Sequence, residues 1–153
     1  MTHGEKAQAL FYEGYNCAQA VFCAYAEDLQ IDRITAARLV SPLGGGMGRL
    51  REVCGTVSGA LMVIGQRYGY GTPETGAPKA RLYAIEQEFA RRFAALHGSY
   101  ICRDLLGLSF GASAPTPEAR TEAYYQKRPC PALCKSAADL LDGLIDDIES
   151  GRF

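Results

Sequence analysis

Apolar positions recur every three to four residues along almost the whole chain, and no clean alternating segment interrupts them. The pattern predicts helices. Residues 5–13 read as a short helix stopped by Gly14, and Asn16 as the N-cap of the next, with Gln19 in the capping-box position three residues later. The segment 17–29 is apolar on most faces, as a central buried helix should be. Asp32 caps a short helix that ends before Pro42. After the glycine cluster Gly44, Gly45, Gly46 and Gly48, the run VSGALMVIGQRYG at 57–69 suits a tightly packed core helix, with a strand as the competing reading because of its Val and Ile content. A turn-rich loop over 69–78 leads to the longest amphipathic stretch, 79–97, closed by Gly98. Ser99 is placed to cap a short helix over 100–106. A second loop, 107–115, precedes Thr116–Pro117, a cap and first-turn proline for a helix at 117–127. Pro131 starts the last helix, with Leu133, Ala137, Leu140, Leu141, Leu144, Ile145 and Ile148 on its apolar face. The expected architecture is an all-α bundle of six to eight helices in one domain, 1–153.

Composition narrows the function classes. A chain of 153 residues, 48% hydrophobic and 22% charged, should bury about two-thirds of the surface its unfolded form exposes, which argues against a disordered chain. Sixteen basic against seventeen acidic residues leave a net charge of −1, so no polycationic field exists for nucleic acid or an anionic membrane. No leader pattern opens the chain, and no apolar run approaches the roughly 18 residues of a membrane span. The expectation is a cytoplasmic protein without membrane insertion. Exposed helix faces leave room for a homodimer, although no particular residue argues for one.

The six cysteines carry the chemistry. Cys17, Cys54, Cys102 and Cys130 each fall at a predicted helix start, where unpaired backbone N–H groups and the positive helix end favour a thiolate, the form that ligates metals and attacks disulfides. Burial for packing competes as a reading, but their neighbours (Gly14 to Asn16, Gly55, Ser99, Pro129 and Pro131) are turn residues. Cys23 lies inside an apolar helix and reads as core. Cys134, one turn beyond Cys130, is either a bystander or a resolving thiol.

The cluster SPLGGGMGRLRE at 41–52 lacks both a GK[ST] ending and a GxGxxG frame, so it is no nucleotide loop. Gly45 and Gly46, with Gly55 beside Cys54, are candidate positions for close backbone approach to a thiolate or cluster sulfur; a flexible connection is the alternative. Tyr15 and Tyr100, two residues before Cys17 and Cys102, are candidate hydrogen-bond donors to sulfur. Arg49, Arg51 and Arg103 are candidate thiolate partners, with solvated surface as the ordinary expectation. His3, near a frayed terminus, and His97, in a last helical turn, are weak ligand candidates.

GYNCAQAV at 14–21, GGGMG at 44–48, EVCGTVSGALMVIG at 52–65, ICRDLLG at 101–107 and RPCPALCKSAADLL at 128–141 together resemble the family named for its C, GCAxxG, C, C cysteine pattern. The central motif is usually CGAxxG; here it reads CGTVSG, with Thr56 in place of alanine. The resemblance implies a redox role for Cys17, Cys54, Cys102 and Cys130. A related module resembles part of a split-Soret cytochrome, and that analogy implies a [2Fe–2S] iron–sulfur cluster held by these four thiolates for electron transfer. Their spacings of 37, 48 and 28 residues neither support nor exclude such a site, and the absence of CxxCH argues against attached haem. Metal-free thiol–disulfide exchange, through Cys130 with Cys134 or Cys54 with a partner from another helix, is the second expectation; a structural zinc module is the third. The partner would be a redox protein, a small thiol or another electron donor.

Overall fold

A computed structural model describes residues 1–73, 76–109 and 111–153. Glu74 and Thr75 of the expected 69–78 loop, and Phe110 of the 107–115 loop, lie outside the described residues. Eight helices form the chain there: α1 (His3–Glu13), α2 (Cys17–Ala24), α3 (Arg33–Val40), α4 (Gly55–Tyr68), α5 (Ala77–His97), α6 (Cys102–Leu105), α7 (Glu122–Lys127) and α8 (Cys130–Glu149). A 3₁₀ turn at Ser41–Leu43 and a glycine turn at Gly44–Met47 join α3 to α4. Among the described residues there is no sheet, only one antiparallel bridge between Val53 and Ile101, and no helix is long and apolar enough to cross a membrane. The all-α expectation holds, and the strand reading of 57–69 gives way to α4.

Helix α2 is the central element, packed against α1, α3, α4 and α8. Ala18, Ala20, Val21, Phe22 and Cys23 on α2 are all buried, which explains why its sequence is apolar on most faces. Phe11, Ile64, Ile85, Phe89, Phe93, Leu141 and Leu144 complete the core from the surrounding helices. Gly59 sets the closest approach: a Cβ there would stand 2.7 Å from the Ala18 carbonyl oxygen, so only glycine lets α4 lie this near α2.

Most caps fall where the pattern puts them. The Asn16 side chain accepts from the Gln19 amide at 2.9 Å, and Gln19 Oε1 accepts from the Asn16 amide at 3.0 Å. Asp32 accepts from the Thr35 amide, and Gly14 and Gly98 close α1 and α5 in the left-handed conformation. Four of the boundaries that differ have a cause in side-chain hydrogen bonds. Helix α1 starts earlier, because Thr2 and Glu5 form a second capping box. Helix α2 stops at Ala24: Tyr25, 1% exposed, sends its phenol to the Ala138 carbonyl and to Asp142, and a turn through Gln30 at φ 57° follows. Ile101, not Ser99, is the N-cap of α6; the Ser99 hydroxyl accepts from the Ile101 amide and donates to Asp104. The helix expected at 117–127 begins only after Thr121, because Arg120 ties the preceding segment to the α1–α2 junction through the Phe11 and Tyr15 carbonyls.

The two glycines of α4 make a matched test. Gly59→Ala should lower stability by about 1–3 kcal/mol, the usual range for overpacking. Gly65→Ala, which meets nothing within 4 Å, should raise it by about 0.5–1 kcal/mol through the helix preference alone. Urea unfolding of both variants reads the difference, and equal effects would remove the close approach as the reason for Gly59.

Candidate functional site

Four helix starts carry the four cysteines. Cys17 is the first residue of α2, directly after the Asn16 box. Cys54 is the N-cap of α4. Cys102 opens α6, and Cys130 opens α8 after Pro129. The Val53–Ile101 bridge aligns two of them: the Cys54 amide donates to the Tyr100 carbonyl at 2.8 Å, and the Cys102 amide to the Glu52 carbonyl at 2.5 Å. All four side chains line one cavity of about 410 Å³. Cys54 and Cys102 are buried, whereas Cys17 and Cys130 are partly exposed. Cys17 stands in the middle, near enough to Cys54, Cys102, Cys130 and Cys134 for their charges to interact.

The glycine turn reaches this group from the side. Gly45, at φ 75°, turns its amide toward the Cys17 sulfur. Gly46, at φ 68°, lies so close to Cys102 that a Cβ would meet that residue's Cβ at 2.5 Å. Both positions require the left-handed backbone that glycine adopts without penalty. The segment is therefore a shaped wall against two cysteines. The turn is held from below by the Asn16 amide group, which donates to the Ser41 carbonyl at 3.0 Å.

The comparisons with known proteins bear on this arrangement. A family model described as "putative redox-active protein (C_GCAxxG_C_C)" matches residues 15–144, which include all four cavity cysteines. The chain belongs to the C_GCAxxG_C_C family. Neither the curated proteins nor the solved structures give a match.

In this member of the C_GCAxxG_C_C family the central CGTVSG segment has a physical reading at each motif position. Gly55 makes room for Cys17, since a Cβ there would stand 2.4 Å from its sulfur. Thr56, fully buried, places its hydroxyl 3.1 Å from the Cys54 sulfur. Gly59 carries the α2–α4 contact described above.

Electrostatics overturns one expectation. The helix starts do not make thiolates of Cys17, Cys54 or Cys130, because burial outweighs them. Burial pushes the Cys54 and Cys130 thiols up to about 12 each, and raises Cys17 and Cys134 as well. Complete burial can move a pKa by up to about 3–5, whereas a helix end supplies about 0.3–1 kcal/mol, less than about one pKa unit. Neighbouring sulfurs add to the rise, since a charge on Cys17 opposes a second charge on Cys54 or Cys130.

The arginines are the residues that sequence reasoning missed or misplaced. Arg51, a candidate thiolate partner for which solvated surface is the ordinary expectation, is 4% exposed and directs Nη1 to the Cys102 sulfur at 3.6 Å, with Nε on the Ser113 hydroxyl at 2.9 Å. Arg120 and Arg128, not singled out from the sequence, also line the cavity. Arg120 stacks over Phe11 at 4.0 Å, and Arg128 pairs with Glu118. Nothing local in the sequence marks Arg120; its role depends on a loop crossing the α1–α2 junction. Arg103 instead binds Glu52 and the Arg51 carbonyl. Tyr15 and Tyr100 contribute carbonyls, which accept from Arg120 and the Cys54 amide; no phenol-to-sulfur bond occurs among the described residues. His3 is not frayed: it lies between Asp28 and Asp142 and stacks on Tyr25. His97 binds Ser136. Cys23 is core, as expected, and Cys134 is buried with its thiol toward the Cys17 carbonyl.

The donor chemistry of four thiols suits a soft metal centre, but their placement does not. Among the described residues no group of three or more His, Cys, Asp or Glu side chains is arranged to hold a metal ion.

The raised thiols predict a pH dependence with a definite sign. A thiol whose folded pKa exceeds its unfolded value stabilises the fold fully below the unfolded value, near 9.0, and loses that contribution as pH rises toward about 12. The midpoint of thermal unfolding of reduced, metal-free protein should therefore fall across the alkaline range. Cys54→Ala should flatten that fall, and an unchanged slope would count against burial as the cause.

Proposed function

We propose that the cysteine-lined cavity is a two-electron thiol–disulfide centre, with Cys17 and Cys54 as the working pair and Cys102 and Cys130 as the remaining thiols of the set. The observation that carries this reading is the arrival of four sequence-distant cysteines at one cavity with Cys17 at its middle. The choice of Cys54 as partner rests on Gly55, whose missing side chain leaves the Cys17 sulfur against the start of α4. In the oxidised form one S–S bond joins the pair; the two electrons and two protons pass to an acceptor disulfide, which leaves as two thiols. Return to the dithiol needs a reducing thiol from the surroundings, as in the cytoplasm.

The neutral resting thiols fit this assignment. Raised pKa values make a buried dithiol inert until a substrate enters and the first proton departs. The Thr56 hydroxyl beside Cys54, and the Gly45 amide beside Cys17, are the groups that meet negative charge on each sulfur as the S–S bond changes hands.

A second reading has one specific observation in its favour. The amide and guanidinium donors aimed at Cys17 and Cys102 are of the kind that surrounds the ligands of a [2Fe–2S] cluster. In that reading Cys17, Cys54, Cys102 and Cys130, which form no metal site as they stand, would have to draw together to hold the cluster, which supplies one-electron transfer when bound.

Anaerobic purification, metal and acid-labile sulfide analysis, and disulfide mapping after diamide treatment separate the two. The expected result is a colourless, metal-free protein that forms a Cys17–Cys54 disulfide and loses it on reduction. Cys17→Ser and Cys54→Ser should each abolish that bond, while Cys23→Ser keeps it. Stoichiometric iron and sulfide would sink the thiol–disulfide reading in favour of the cluster, and stoichiometric zinc would sink it in favour of a structural module.

A further inference from the structure

The cavity around the cysteines is larger and more positive than a buried dithiol requires. Its volume of about 410 Å³ is in the range of small-molecule sites. Four arginines line it, Arg49, Arg51, Arg120 and Arg128, against one carboxylate, Glu118. Glu118 is already paired with Arg128. Among the described residues the other three arginines have no acidic partner: Arg49 and Arg120 bind backbone carbonyls, and Arg51 binds Ser113 and the Cys102 sulfur. Arg51 is 4% exposed. A guanidinium this deeply buried is costly without a counter-charge, and among the described residues no carboxylate pairs with it. The net chain charge of −1 makes this local excess of cations a property of the site.

Access points the same way. Cys54 is 5% exposed and Cys102 7%. A disulfide held on the surface of another protein would have to bring its sulfur through the cavity mouth, whereas a small molecule enters whole. The apolar part of the wall, including Phe11, Leu105 and Leu133, suits the carbon skeleton of such a molecule.

We infer that the oxidant of this site is a small disulfide carrying carboxylate groups, bound in the cavity with its charges on Arg51 and the neighbouring arginines. This rests on the thiol–disulfide reading above. Cys17, the more exposed of the pair, attacks one sulfur of the disulfide. The substrate S–S bond breaks, a mixed disulfide forms on Cys17, and the first small thiolate leaves, taking up the proton that Cys17 gave. Cys54 then attacks the Cys17 sulfur and expels the second small thiol, which takes the Cys54 proton. The balance is one disulfide reduced to two thiols and one protein dithiol oxidised to one disulfide.

The test compares three small disulfides of similar size: dithiodipropionate (anionic), hydroxyethyl disulfide (neutral) and cystamine (cationic). Each is mixed anaerobically with reduced protein, and formation of the Cys17–Cys54 bond is followed by mass spectrometry. A free thiolate is itself an anion and prefers the cationic disulfide. The protein should reverse that order, favouring dithiodipropionate over cystamine by about tenfold or more, in the range that charged clefts produce. Raised salt should shrink the preference, and Arg51→Gln should remove most of it. Should Arg51→Gln fail to fold, Arg49→Gln at the cavity rim and the salt dependence still decide. Cystamine reacting as fast as or faster than dithiodipropionate would overturn the inference. Diamide keeps the two levels apart: if it forms the Cys17–Cys54 bond while the three disulfides show no charge order, only the substrate assignment falls. If diamide also fails, the dithiol reading falls with it.

Discussion

Two glycines one helical turn apart, Gly55 and Gly59, let α4 settle against α2 until the Cys17 sulfur lies over the start of α4 and the Ala18 carbonyl lies under its first turns. Everything at the site follows from that contact. It places Cys17 beside Cys54, and the Val53–Ile101 bridge just ahead of α4 then sets Cys102 from the far end of α5 at the same height. Helix α8, packed on α1, α2 and α4, brings Cys130 in from the other side. A methyl group at Gly55 would stand 2.4 Å from the Cys17 sulfur, so the packing of two helices and the meeting of two thiols are one constraint.

Gathering thiols this way has an electrostatic consequence. Burial and mutual repulsion oppose charge on Cys17, Cys54 and Cys130, and the helix ends are too weak to reverse that balance. Those three sulfurs therefore rest neutral beside a wall that is positive at its arginines. Such an arrangement tolerates a single negative charge well and a second one poorly, which suits chemistry that creates one thiolate at a time. Arg51 is the clearest expression of this: its left-handed backbone, at φ 63°, turns a residue of an exposed-looking glycine loop inward to the Cys102 sulfur.

Helix content, the major caps and the four-cysteine set were all legible in the residues, because they depend on local chemistry. Asn16 with Gln19, Asp32 and Gly98 act within one turn of where they stand, and apolar periodicity marks α5 and α8 without reference to partners. The errors have a common cause. Helix α2 ends early because Tyr25 reaches across to α8, and α7 starts late because Arg120 reaches back to Phe11 and Tyr15. Both boundaries are decided by hydrogen bonds to residues about a hundred positions away, which no window along the chain contains.

The sequence by itself determined an all-α chain with four cysteines at four helix starts, since N-caps, turn glycines and helical period are short-range properties. Only the tertiary structure decided that those starts face a single cavity, that desolvation outweighs the helix ends at Cys17, Cys54 and Cys130, and that Arg51 rather than a histidine or the Tyr100 hydroxyl stands beside the Cys102 sulfur. The physical reason is range: capping acts within one helical turn, whereas burial and charge pairing are set by whatever the fold brings near.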